Sequence, residues 1–138
     1  MSSYNMERKY LPTISELIDR LSIVQLKEVK IPEHKEEYAN EIKDILHDIQ
    51  LILDTSDVEI TAEVIRSIIV CSQMNTHIWY NETNVRKGIE GPTMLALTHG
   101  INGIRNTSKN KIQENFGGRK DYKIDCLAAD FKDWEVSW

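Results

Sequence analysis

At 138 residues the chain is long enough to bury a core without a metal or disulfide framework, and of a size for one domain. Its 41% hydrophobic and 28% charged residues are those of a soluble globular fold. A net charge of −5 argues against direct nucleic-acid binding, and no apolar run approaches the ~20 residues a membrane span needs.

Residues 1–11 are polar and read as a frayed or lightly docked terminus without the apolar core of a signal peptide. A first helix is predicted from Thr13. Thr13-Ile14-Ser15-Glu16 has the pattern of a capping box: the threonine hydroxyl takes an orphan N–H and the glutamate reaches back. Pro12 bars extension upstream. Ile14, Leu17, Ile18, Leu21, Val24 and Val29 form an apolar stripe, interrupted by Gln25 and Glu28. Ile23 and Leu26 lie off it, so this helix is expected to meet more than one neighbour. Glu16, Arg20 and Lys27 make its polar edge.

Pro32 breaks the chain and suits the first turn of a second helix, where Glu33, Glu36 and Glu37 favour the positive end of the dipole. Tyr38, Ile42, Ile45, Ile49 and Ile52 recur at near-heptad spacing, widened by Ala39, Leu46 and Leu53. Helices one and two are expected to form an antiparallel hairpin, ended by the turn Asp54-Thr55-Ser56-Asp57.

Ile60 to Lys87 is the longest apolar-rich segment and is predicted as one helix, with Thr61 as N-cap, around which the others pack. Val64, Ile68, Cys71, Ile78 and Val85 share a stripe, with Met74 and Trp79 on its flanks. Asn75 and Glu82 lie on the same stripe, and Arg86 follows one turn after Glu82. An amide and a carboxylate on an apolar seam are costly without partners. Either Asn75 fixes helix register and Glu82 pairs with Arg86 at i,i+4, or the seam opens into a polar pocket at its C-terminal half. His77 falls on the opposite, polar face.

Gly88 to Pro92 is a short connection, with Pro92 placed to start helix four. Helix four carries three stripes. Met94, Leu97, Ile101, Ile104 and Ile112 are apolar; Ala96, Gly100, Gly103 and Thr107 are small; His99, Asn102 and Asn106 are polar, flanked by Arg105 and Lys109. The apolar period continues through the glycines, which favours one helix over a break at Gly100–Gly103. Gly117-Gly118 ends it. Tyr122, Phe131, Trp134 and Trp138 make residues 119–138 an aromatic tail, with Asp125 placed to cap a short helix through Phe131. The tail is expected to dock on the bundle or on a second subunit.

No nucleophile motif, phosphate-binding loop, dinucleotide fingerprint or zinc spacing is present. Cys71 and Cys126 lack a metal pattern and suit a reducing cytosol, and Cys71 reads as a core residue. His34, His47-Asp48 and Asp54 or Asp57 imitate the letters of an HD-type phosphohydrolase at too compressed a spacing. A helical nucleotide hydrolase holding Mg²⁺ would need Glu37, Glu41 and Asp44 to face Glu82. What remains is a constellation. Asp19, Arg20, Gln25 and Glu28 come from helix one, Asn75, Glu82 and Arg86 from helix three, and His99, Asn102, Arg105, Asn106 and Lys109 from helix four. Such residues suit hydrogen bonding to a phosphate, sugar or base; they would equally make a polar helix–helix seam.

The segments ELIDRLSIVQLKE (Glu16–Glu28), HIWYNETNVRKG (His77–Gly88) and LALTHGINGIRNTSKNKIQENFGG (Leu95–Gly118) resemble a family of small helical proteins of T4-like tailed phages. A more distant likeness is to bacterial helical proteins found among polysaccharide and glycosyltransferase genes, and it spans three helices without the aromatic tail. The resemblance implies a phage or bacterial cytosolic setting and draws attention to Asp19, Arg20, Trp79, Glu82 and Arg105, which sit in the shared segments, and it carries no catalytic role with it.

The expectation from sequence is therefore an all-α, single-domain bundle of four main helices with a short C-terminal helix, acting in the cytoplasm as a homodimer. The leading functional expectation is binding of a phosphorylated or nucleotide-like small molecule in a polar inter-helical pocket, without a cofactor. The alternatives are a protein–protein adaptor working through a dimer surface and the aromatic tail, and a Mg²⁺-dependent nucleotide hydrolase.

Overall fold

The computed structural model describes residues 11–88, 92–117 and 136–138, without the side chains of Val85 and residues 92–96. The fold is an all-α bundle of four helices: α1 (Ile14–Lys30), α2 (Lys35–Thr55), α3 (Ala62–Arg86) and α4 (Pro92–Phe116). No strand occurs among the described residues, and none of their helices is long and apolar enough to cross a membrane. The short helix expected after Asp125 lies outside the described residues.

The local signals act where they were read. The Thr13 hydroxyl accepts from the Glu16 N–H at 3.3 Å and caps α1; the Thr61 hydroxyl accepts from the Val64 N–H at 3.2 Å and caps α3. Pro32 opens a 3-10 turn, Pro32–His34, that leads into α2. α4 is continuous through Gly100 and Gly103, both buried, and it ends at Gly117, whose φ of +73° is the left-handed cap that only glycine adopts cheaply.

Cross-contacts give the directions. Arg20 meets Glu41 and Lys27 lies over Tyr38, so α1 and α2 are antiparallel. Asp19 meets Asn75 and Lys30 lies over Tyr80, so α1 and α3 run parallel. Ser15 meets Gln113 and Lys111 meets Glu63, so α4 opposes both. The tail end docks on the same body: Val136 packs on the α3–α4 core, and Arg66 donates to the Ser137 carbonyl and hydroxyl. The Trp138 ring lies 5.8 Å from the Arg66 guanidinium and 5.1 Å from Lys111 Nζ.

Three sequence expectations need correction. α3 is not the hub. α1 packs on all three other helices, whereas α2 packs extensively on α1 alone among the described helices. The reason lies in α1 itself: its side chains serve neighbours on more than one side, as Ile23 and Leu26 off the main stripe foreshadow. Val29 is 67% exposed rather than buried, because it sits about 140° around the helix from Val24. Glu82 is exposed too. Lys30, the last residue of α1, already lies level with Tyr80, so Glu82 projects past the end of the helix that would have covered it.

The apolar interior falls into two clusters. Leu17, Val24 and Ile45 join α1 to α2, with Leu21, Tyr38, Ile42, Ile49 and Ile52 around them. Val70, Met74, Ile78, Ile101 and Ile104 join α3 to α4. Ile101 is fully buried, and Ile101→Ala should cost about 2–5 kcal/mol in urea unfolding. Leu51→Ala, at an exposed site, should stay within about 0.5 kcal/mol.

Candidate functional site

Between the two apolar clusters lies a polar one. Asp19, on the inner side of α1, is buried. Such a carboxylate is tolerable only with donors around it. Asn75 Nδ2 donates to Asp19 Oδ1 at 2.9 Å and to Ser22 Oγ at 3.3 Å. The Cys71 thiol donates to the same Oδ1 at 3.5 Å. Lys109 Nζ lies 3.6 Å from Oδ2, and Arg105 Nε lies 4.0 Å from Oδ1. Arg105 Nη1 donates to Asn75 Oδ1 at 3.4 Å. The amide of Asn75 is thus oriented from both sides, with its nitrogen toward the carboxylate and its oxygen toward the guanidinium.

Helical spacing brings these groups together. Cys71 and Asn75 are one turn apart on α3, Arg105 and Lys109 one turn apart on α4, and Asp19 and Ser22 one turn apart on α1. Each helix offers two adjacent polar groups to one point. Arg105 Nε is buried and finds no hydrogen-bond acceptor among the described residues. The charges are unequal: among the described residues Arg105 and Lys109 face one carboxylate, that of Asp19.

Asp19 and Lys109 also line a cleft of about 390 Å³ on one side of α1. Glu16, Arg20, Lys27 and Glu41 complete its polar wall, and Leu17, Ile23 and Val24 its apolar one. Arg20 donates to Glu41 Oε1 from Nη2 at 2.7 Å and from Nε at 3.2 Å, tying α1 to α2 across the mouth.

Of the residues singled out from sequence, Asp19, Asn75, Arg105 and Lys109 converge here, and Arg20 stands at the cleft mouth. The others do not join them. Trp79 is half-buried on α3, and Asn102 and Asn106 are half-buried on α4. His99 is exposed. Glu82 and Arg86 pair with each other at 3.5 Å near the C-terminal end of α3. The polar seam therefore sits at the middle of α3, not at its C-terminal half. Gln25 donates to Glu28 at 2.9 Å on the surface and takes no part. Sequence reasoning missed Ser22, Cys71 and Glu41 as polar partners. The available signals were Ser22 one turn after Asp19 and Cys71 one turn before Asn75.

Among the described residues no three His, Cys, Asp or Glu side chains come together as a metal site. The acids that a Mg²⁺ site would have needed are engaged separately: Glu41 with Arg20, Glu37 with His34 at 3.2 Å, and Glu82 with Arg86. Comparison with family models, with curated proteins and with solved structures gave no match.

Burial, and then the charge of Asp19, push the Cys71 thiol up from 9.0 to about 12. A thiol this protonated is a donor, not a nucleophile. The folded state holds its proton more tightly than the unfolded one, so stability should fall as pH rises from about 9 towards 12. Cys71→Ala should flatten this alkaline slope by up to about 1.4 kcal/mol per pH unit, measured by urea unfolding across that window. Asp19→Asn should cost about 3 kcal/mol, since it leaves two cations facing a neutral amide. Arg20→Ala, which breaks an exposed pair, should cost about 1 kcal/mol or less in the same assay.

Proposed function

We propose that the cleft beside Asp19 binds a phosphorylated or nucleotide-like small molecule, with its anionic group held by Lys109, the cation of the polar cluster that lines the cleft. The observation that carries this reading is the charge imbalance: among the described residues Arg105 and Lys109 share the carboxylate of Asp19, and Lys109 and that carboxylate line an open cleft. A partly desolvated excess of positive charge is a place for an anion. A cleft of about 390 Å³ falls in the range of small-molecule sites. At the mouth, Arg20 and Lys27 add further cations, and Glu16 and Glu41 offer acceptors for sugar hydroxyls or exocyclic amines.

The reading is one of recognition, and it assigns no bond-making step. The likeness to helical proteins of T4-like phages suggests its setting: an accessory protein holding a nucleotide or nucleotide-sugar in the host cytoplasm.

A thermal-shift panel of nucleotides and sugar phosphates tests it. A ligand at about one hundred times its Kd should add about 2.7 kcal/mol, a rise in Tm of the order of 8 °C. Lys109→Met should abolish the shift. Asp19→Asn should lower the starting Tm yet keep or enlarge the ligand-induced rise, because it removes the competing internal anion. If no member of the panel raises Tm, the proposal fails.

A further inference from the structure

The opposite side of α1 carries a feature that the cleft does not use. A groove of about 480 Å³ runs between α1, α2 and α3, and none of the described residues lining it is charged. It exists because α2 packs extensively on α1 alone among the described helices, leaving open the corner that a closed four-helix bundle fills. Ile68 and Ser72 form its α3 wall, and Ile65 and Ile69, 52% and 51% exposed, continue that wall outward. Leu46 projects from α2 at 50% exposure and Val29 from the end of α1 at 67%. Single exposed apolar side chains are ordinary; a row of them along an uncharged groove marks a docking surface.

We infer that this face is the dimer interface, covered by the same face of a second copy about a two-fold axis. The occupant of such a groove is itself apolar and uncharged. The groove's own rim (Ile65, Ile69 and Leu46) has that character, and a two-fold contact needs one patch that complements itself. The size also fits. α2 has 21 residues and α3 has 25, so the shared face is about 30 Å long and about two helix diameters wide. That is about 600 Å² in projection on each copy, close to the ~800 Å² of accessible surface that each side of a standard interface buries. Each chain carries a net charge of −5, so the two copies repel at long range while the groove at the centre of the contact is lined by uncharged residues; added salt should tighten the pair.

Light scattering coupled to size exclusion tests the inference at micromolar concentration. The wild-type chain should elute at about 32 kDa, twice its 16.0 kDa. The double variant Ile65→Glu/Ile69→Glu should give a monomer with unchanged helical circular dichroism, and so should Leu46→Glu, which decides the matter alone if the double variant does not fold. Leu51→Glu, at an exposed position on the other side of α2, should remain dimeric. A wild-type monomer overturns the inference, including one whose groove takes up the apolar dye ANS, which would assign the groove to a small apolar ligand. A dimer that survives both groove variants overturns it as well.

Discussion

One buried carboxylate couples the two halves of this protein. The α1–α2 hairpin and the α3–α4 pair each have an apolar cluster of their own. Apolar packing is tolerant of sliding and rotation; Asp19 is not. Its oxygens are satisfied only when Asn75 and Cys71 of α3 and Lys109 of α4 arrive at the same height and rotation. A shift of α1 by one residue would carry the carboxylate about 100° away from these donors. The polar cluster therefore supplies register where the apolar clusters supply most of the cohesion.

α1 earns its central place by dividing its surface. One side, with Glu16, Arg20, Ile23 and Lys27, faces the polar cleft; the other, with Ile18, Gln25 and Val29, faces the uncharged groove. Asp19 and Ser22 stand between them. Two surfaces of opposite chemistry thus flank one helix. A small anion and a second protein chain would not compete for the same residues.

Much of this was legible in the sequence, and the boundary is physical. Capping at Thr13 and Thr61, the continuity of α4 through its glycines and the antiparallel hairpin depend on local spacing, which a single sequence displays. Asn75 was visible as a polar intrusion because its neighbours on the stripe are apolar. What could not be read was how far each helix overlaps its neighbours. Glu82 shares a stripe with Asn75, yet Asn75 meets α1 and Glu82 lies beyond the end of α1. Cys71 read as a core residue; it is one, and it is also a donor to Asp19, a role that only the approach of α1 reveals. The place of α1 as hub followed from the same missing information, since apolar coverage on several sides does not say which neighbours exist.

The attachment of α2 has a consequence for how the molecule breathes. Protein segments open locally with free energies that follow the contacts they would lose. Among the described helices α2 packs extensively on α1 alone, so it belongs to the low-stability end of that range, and its amides should exchange with solvent before those of α3 and α4. Glu41 leaves with it. Arg20 is then released from its partner at the mouth of the cleft, and the local field there becomes more positive at the moment the entrance widens. Fraying of one helix and opening of the cleft are in this way the same event, and whatever clamps α2 in place sets how often it occurs.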